Sequence, residues 1–201
     1  MTLEKIEHEA ALYGPFTQVV RELVDATIRT EVDDEEARTI QAELEDIVAR
    51  LRSRQLDGAY AASHGPAARG RPWGNAVVGL RNPLAPPLEV VRESTGRVWA
   101  DFHLGAAYEG PPGLVHGGVS SLILDQMVGE ATGASGKPGM TASLTLTYRR
   151  PTRLGDLRAE AWVERDEGIK TWARGHISDA DGVTVEAEGL LIVPRWLRQD
   201  G

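Results

Sequence analysis

Residues 110–128 read GPPGLVHGGVSSLILDQMV, and the rest of the chain is best understood from this segment. Its first part is a proline- and glycine-rich loop that ends at His116, and Gly117 and Gly118 follow directly. From Val119 onward the residues are apolar on nearly every side of a helical wheel, which is typical of a buried helix. The sequence therefore predicts a central helix that begins at the two glycines and is enclosed by the remaining elements.

Asp125 lies in the middle of this predicted helix. A carboxylate among apolar side chains is costly unless a neighbour pairs with it or a reaction uses it. It is therefore either a paired structural group or a chemical one. Because it follows His116 by nine residues, it lies about 13 Å further along the helix. One chain cannot easily bring both Asp125 and the start of the helix to the same carbonyl group. A two-fold dimer with antiparallel central helices would bring Asp125 of one subunit to Gly117 of the other.

The backbone amides of Gly117 and Gly118 are the second chemical feature. They belong to the first helical turn, where N–H groups lack intrahelical acceptors and the helix dipole is positive. Since neither residue has a side chain, a carbonyl group can approach closely, and a developing oxyanion would be stabilised there. The alternative is that the glycines only permit a tight junction between the loop and the helix.

The other segments predict an α+β fold in which an antiparallel sheet of about six strands is wrapped around the central helix. Residues 140–148 alternate strictly, and their even positions are expected to face the core. Two strands precede the helix and four follow it as a meander, with period-two patterns and turn residues between them. The predicted strands are residues 88–93, 97–104, 140–148, 157–164, 169–178 and 183–193.

Residues 1–78 are predicted to be an N-terminal helical extension with a linker, and residues 79–197 the main domain. One helix is expected over residues 15–30, and a second, amphipathic helix begins after an N-cap at Asp33 or Asp34. Residues 65–72 read GPAARGRP, which is typical of a linker. The apolar stripe of the second helix must pack on the main domain or on a partner subunit.

Composition excludes several classes of protein. The chain has 201 residues, no cysteine and a net charge of −8. The lack of cysteine removes disulfides, thiolate zinc sites and cysteine nucleophiles, and the acidic balance argues against nucleic acid or an anionic membrane as a partner. The five histidines form no metal-binding pair, and there is no Gly-x-Ser-x-Gly motif. With no signal-like start and no apolar run of ~20 residues, we expect a cytoplasmic protein.

Three motifs carry a resemblance to a known family. They are YEGPPGLVHGG at residues 108–118, Asp125, and the strand that begins MTA at residue 140 and leads into YRRP at residues 148–151. Together they are similar to hotdog-fold acyl-CoA thioesterases, in the PaaI-like branch that includes thioesterase superfamily members 4 and 5. The resemblance spans about residues 80–194 and implies a hotdog fold.

The resemblance also implies a role for each matching residue. The Gly117 amide is the oxyanion donor, His116 contacts or positions the thioester, and Asp125 of the partner subunit is the general base or the nucleophile. Thr141 matches the hydroxyl that positions the hydrolytic water; otherwise it is an ordinary strand threonine. Many PaaI-like enzymes carry an amide side chain shortly before the histidine, where this chain has Glu109, Gly110 and the prolines Pro111 and Pro112.

The CoA moiety needs positive groups for its phosphates. Arg149, Arg150 and Arg153 follow the most regular predicted strand and are candidates, unless they are simply exposed strand-end arginines. Gly118 is expected to contact the substrate beside Gly117. The resemblance implies no metal and no cofactor other than the CoA thioester itself, and it implies at least a homodimer, with a dimer of dimers left open.

We therefore predict an acyl-CoA thioesterase that hydrolyses a thioester to a carboxylic acid and CoA. Two other functions remain open at this stage. One is a non-catalytic acyl-CoA-binding protein of the same fold, which would release no thiol. The other is a hotdog hydratase or dehydratase, which would change the absorbance of an enoyl-CoA without releasing thiol.

Overall fold

A computed structural model describes residues 3–60 and 72–197. The chain divides into two compact units, Met1–Pro83 and Leu84–Gly201, so the division falls shortly after the boundary predicted at residues 78–79. Most of the predicted linker at residues 65–72 lies outside the described residues. The regular elements are α1 Leu3–Arg29, α2 Asp34–Arg52, β1 Val91–Arg92, β2 Val98–Leu104, α3 Gly117–Ala134, β3 Met140–Tyr148, β4 Gly155–Glu167, β5 Lys170–Asp179 and β6 Gly182–Ile192.

The first unit contains the two predicted helices. α2 begins where the sequence predicts, because the carboxylate of Asp33 caps it and accepts hydrogen bonds from the amides of Glu35 and Glu36 at 3.1 and 2.9 Å. The expected start of the first helix at residue 15 is wrong. α1 begins at Leu3 and contains Pro15 inside it. A proline removes one helical hydrogen bond, but it does not end this helix.

The second unit is one antiparallel sheet with α3 packed across it, as the sequence predicts. The strand order is β1-β2-β4-β5-β6-β3. α3 contributes Ile123, Leu124, Met127 and Val128 to the core, and all four side chains are fully buried. The first strand is shorter than expected, since only Val91–Arg92 pairs with β2.

The order of the last four strands differs from the predicted meander. β4, β5 and β6 follow one another in the sheet, but β3 pairs with β6 at the far edge, and β4 pairs with β2. The position beside β2 is thus filled by β4, and α3 carries the chain across the sheet before β3 begins. Among the residues that the structure describes, β3 is hydrogen-bonded to a strand on one side only, and its other edge, nine residues long, is free.

Candidate active site

The loop before α3 is held by its own backbone. The amide of Gly110 donates to the carbonyl of Leu114 at 2.9 Å, and the amide of His116 donates to the carbonyl of Tyr108 at 3.0 Å. Gly110 must lack a side chain, because a Cβ there would lie 2.7 Å from the Cα of His116. The Glu109 carboxylate, at the position where relatives are expected to carry an amide, accepts from the Gly113 amide at 2.6 Å. The loop therefore fixes the backbone at His116.

His116 is the N-cap of α3. Its backbone is extended, and its Nδ1 accepts a hydrogen bond of 3.0 Å from the amide of Gly118. An accepting Nδ1 leaves the proton of the neutral ring on Nε2, a tautomer that we assign from this hydrogen bond. Gly118 is thereby already satisfied. Within residues 3–60 and 72–197 the amide of Gly117 has no acceptor, so Gly117 is the donor that remains available at the start of the helix.

Tyr148, which the sequence analysis did not include in the site, lies directly over Gly117. Its hydroxyl donates to the carbonyl of Gly117 at 2.9 Å and lies 3.4 Å from the hydroxyl of Ser121. A Cβ on Gly117 would come within 3.1 Å of the tyrosine oxygen, so a larger residue would displace Tyr148. One feature of the sequence could have indicated this contact: Tyr148, an aromatic residue with a hydroxyl group, occupies the last position of the alternating strand that is expected to face the core.

A cavity of about 490 Å³ opens beside this junction. It brings together Gly117, Arg149 and Arg150, which the sequence analysis proposed separately, and Tyr148 lines it as well. Its apolar walls include Pro111 and Leu114 of the loop and Pro151 after β3. The arrangement offers one free amide, an apolar lining and nearby guanidinium groups.

The three candidate arginines differ in what they already bind. Arg150 forms a two-pronged ion pair with Asp179, and hydrogen bonds from this guanidinium lower the pKa of the Asp179 carboxyl. Arg149 pairs with Glu186 through contacts of 2.8 and 2.6 Å, although both side chains remain largely exposed. Arg153 is exposed, and its guanidinium forms no hydrogen bond or ion pair with the described part of the chain, although its charge helps to lower the pKa of Asp179. It is the most available cation of the three.

Asp125 is exposed, which corrects the expectation that α3 is buried on nearly every side. The sheet covers only one face of the helix, and Leu122, one turn before Asp125, is 44% exposed. The carboxylate makes no hydrogen bond or ion pair with any residue that the structure describes, so a paired structural role is not observed in this chain. Eight residues of the same helix separate it from Gly117, or about 12 Å. The two groups are thus remote within one subunit.

Thr141 lies on the helix-facing side of β3, contrary to simple alternation. Thr141 is opposite Leu191 while Ser143 is opposite Leu190, so Ala142 is an extra residue that forms a β-bulge. Directly opposed residues share a face of the sheet. Leu191 is buried and lies on the same face of β6 as Gly189. That face carries α3, because a Cβ built on Gly189 would lie 3.2 Å from the side chain of Val128. The bulge therefore returns Thr141 to the face that carries α3.

The described residues contain neither a metal-binding cluster nor a membrane-spanning helix. Within residues 3–60 and 72–197 no three His, Cys, Asp or Glu side chains lie close enough together to hold a metal ion. In the same residues, no helix combines the length and the apolar character needed to cross a bilayer.

Similarity to known proteins supports the fold and identifies the family. A solved structure described as a thioesterase superfamily protein is 34% identical to this chain, covering 90% of this chain and 94% of its own length with a TM-score of 0.76. The chain belongs to the thioesterase superfamily. The family of that description also matches residues 112–186, which include α3 and β3 to β5. The predicted hotdog fold and family are confirmed.

Individual superfamily members are similar over shorter segments. Acyl-coenzyme A thioesterase THEM4 of Bos taurus is 32% identical over 94 residues, which are 45% of this chain and 38% of that protein. The Xenopus laevis protein of the same name is 33% identical over 92 residues, or 41% of its length. The match thus spans about two fifths of these relatives. A Streptococcus mutans protein solved with acetyl CoA is 17% identical over 53% of this chain and 88% of its own, with a TM-score of 0.50, and shows the fold alone.

Proposed function

We propose that this protein is an acyl-CoA thioesterase whose active site is completed by a second subunit. The observation that carries the proposal is a division of groups along α3: a free amide at Gly117 and an unpaired, exposed carboxylate at Asp125. Similarity to THEM4 proteins named as acyl-coenzyme A thioesterases supports the choice of substrate class. A free amide suits an oxyanion, and an unpaired carboxylate suits a base or a nucleophile.

The free edge of β3 and the exposed face of α3 support a two-fold dimer. Long unpaired strand edges in stable proteins are normally covered or paired. Pairing β3 with β3 of a second copy would continue the sheet and set the two α3 helices antiparallel to each other. The exposed residues Leu122, Met140 and Tyr148 would then be covered. In that arrangement Asp125 of each subunit approaches Gly117 of the other.

The reaction follows from these groups. The thioester carbonyl accepts a hydrogen bond from the Gly117 amide, which strengthens as negative charge develops on the oxygen. In one route Asp125 of the partner subunit takes a proton from water, whose oxygen attacks the carbonyl carbon. The C–S bond then breaks, and the CoA thiolate leaves and receives the proton. In the other route the Asp125 carboxylate attacks the carbonyl carbon and the C–S bond breaks, so that the CoA thiolate leaves. Water then hydrolyses the resulting anhydride to the carboxylic acid, and Asp125 is regenerated.

The remaining residues serve binding and orientation in this proposal. Thr141 positions the water, because the bulge turns it toward α3. The Nδ1 of His116 is engaged by Gly118, so only its Nε2–H is left to contact the thioester. The phosphates of CoA bind near Arg149, which lines the cavity that contains Gly117, and near the exposed Arg153 that follows that lining in the chain. Arg150 supports this region through Asp179.

Replacement of Asp125 by Asn tests the proposal. We expect the wild-type chain to release free thiol from a panel of acyl-CoAs, and Asp125→Asn to lose most of this turnover while keeping its fold and its oligomeric state. Glu130→Gln is the matched control, since Glu130 lies on the same helix and pairs with Arg92 at the surface. Full activity of Asp125→Asn would rule the proposal out. Tight acyl-CoA binding by the wild type without thiol release would identify a binding protein instead.

A further inference from the structure

The two N-terminal helices are separated by an open apolar groove. α2 has no buried residue, and an opening of about 630 Å³ lies between α1 and α2. Leu23 and Ala26 of α1 face Ile40, Leu44 and Val48 of α2 across it. Apolar side chains at such spacing are normally packed against another surface, because their exposure to water is unfavourable. The groove therefore needs an occupant.

The apolar residues of α2 follow the spacing of a helix–helix seam. Ala37, Ile40, Leu44, Ile47 and Leu51 alternate at intervals of three and four residues. This is the a/d pattern with which helices pair along their length. Ile47 and Leu51 are 44% and 47% exposed, although both belong to the seam. The occupant that fits such a seam is another helix.

The charges of α2 indicate which helix packs against it. Its first turn is acidic, with Asp34 and Glu36, and its last turn is basic, with Arg50 and Arg52. In an antiparallel pair of α2 helices, Asp34 lies beside Arg52 of the other copy and Glu36 beside Arg50, on the two sides of the seam. Each pair occurs twice by symmetry. The chain as a whole carries a charge of −8, so contacts without such matching are disfavoured.

We propose that the α1–α2 groove is closed by the α1–α2 segment of a second copy of this chain, with the two α2 helices antiparallel and crossing at Glu43 and Leu44. This inference does not depend on the proposed thioesterase activity. It concerns a segment outside residues 112–186, the part that the superfamily match covers. The N-terminal helices thereby act as an association element separate from the free edge of β3.

Site-directed cross-linking of the full chain tests the geometry. Because the chain has no native cysteine, an introduced cysteine is the single site at which a maleimide reagent can form a thioether. A Leu44→Cys chain should form a covalent dimer in high yield with a short bis-maleimide, since a residue at the crossing point meets its own copy. Ala42→Cys is the matched control, because it lies two residues away on the opposite side of α2. Failure of Leu44→Cys to cross-link, or equal yields from both variants, overturns the proposal.

Charge reversal tests the orientation independently of packing. In the Leu44→Cys background, the variants Asp34→Lys/Glu36→Lys and Arg50→Glu/Arg52→Glu each place like charges together and should reduce cross-linking at least about tenfold. Mixing the two reversed chains restores opposite charges at every pair. Recovery of a mixed covalent dimer, resolved by a mass tag on one chain, supports the antiparallel pairing. Absence of the mixed dimer, with each reversed chain still cross-linking to itself, overturns it.

Discussion

The hydroxyl of Tyr148 donates a 2.9 Å hydrogen bond to the carbonyl of Gly117, so the end of β3 is tied to the first residue of α3. The ring also fills the space above the glycine, where a Cβ would approach the tyrosine oxygen to 3.1 Å. The position of Gly117, whose N–H has no acceptor in the described part of the chain, is therefore fixed partly by a residue of the edge strand.

Tyr148→Phe should lower kcat severalfold and leave KM for acyl-CoA nearly unchanged. The ring stays in place, but the peptide of Gly117 loses a hydrogen bond, whose removal reduces the free energy of unfolding by about 0.5–1.5 kcal/mol. Steady-state thiol release and thermal unfolding measure the two effects. Thr147→Val, on the other face of the same strand, is the control. A purely structural tyrosine would change only the unfolding temperature, and that result would contradict a positioning role.

The His116 side chain caps α3 through Nδ1 and is a candidate to contact the substrate through Nε2. Two variants distinguish these two roles. His116→Ala should reduce the free energy of unfolding by about 1 kcal/mol, because the Gly118 amide loses its acceptor. His116→Asn keeps a capping oxygen and should retain most of the stability. We expect both variants to lose turnover, since neither supplies Nε2–H. If His116→Asn is as active as the wild type, the histidine acts only as a cap.

Arg153 and Arg150 should respond differently to removal of their charge. Arg153→Gln is expected to raise KM for acyl-CoA severalfold and to weaken the dependence of KM on salt, because its exposed guanidinium is available for phosphate. Arg150→Gln should mainly lower the unfolding temperature, since it leaves Asp179 without its partner. Kinetics at several salt concentrations and thermal unfolding distinguish them. An unchanged KM for Arg153→Gln would exclude this arginine from phosphate binding.

The ion pair of Asp179 predicts a pH dependence of stability. Hydrogen bonds from Arg150 lower the pKa of Asp179 in the folded chain below its usual value. Asp179 therefore contributes stability above its unfolded pKa of about 4, and the contribution is lost as the pH falls through the folded pKa. Asp179→Asn should be less stable than the wild type at neutral pH, with a difference that shrinks in acid. A difference that is constant from pH 7 to acid would contradict this account.

The sequence predicts the parts of the fold that depend on local patterns. The apolar run after Gly118 predicts α3, and the carboxylate of Asp33 correctly predicts the start of α2. Family resemblance adds the hotdog arrangement. The position of β3 at the far edge of the sheet could not be predicted, because alternation within a strand carries no information about which strand lies beside it.

The geometry of the candidate site was less predictable from the sequence than the elements that carry it. An apolar helix surface does not reveal whether its cover comes from the same chain, so Asp125 was expected to be buried and is exposed. The amide of Gly118 is hydrogen-bonded and that of Gly117 is not, because the ring of His116 is oriented with its Nδ1 toward Gly118. The contact of Tyr148 with Gly117 joins residues 31 positions apart, which no local pattern indicates.

The bulge at Ala142 makes the chemistry of β3 sensitive to the number of residues as well as to their identity. Deleting this one alanine would remove the bulge but leave Thr141 next to Ser143 and still opposite Leu191, on the surface of the sheet that carries α3. Insertions and deletions are usually tolerated only in loops. Adding one residue to β6 between Leu190 and Leu191 would instead give Ala142 a partner and turn the Thr141 hydroxyl to the opposite surface, a route by which related chains can gain or lose a hydroxyl at this position without any substitution.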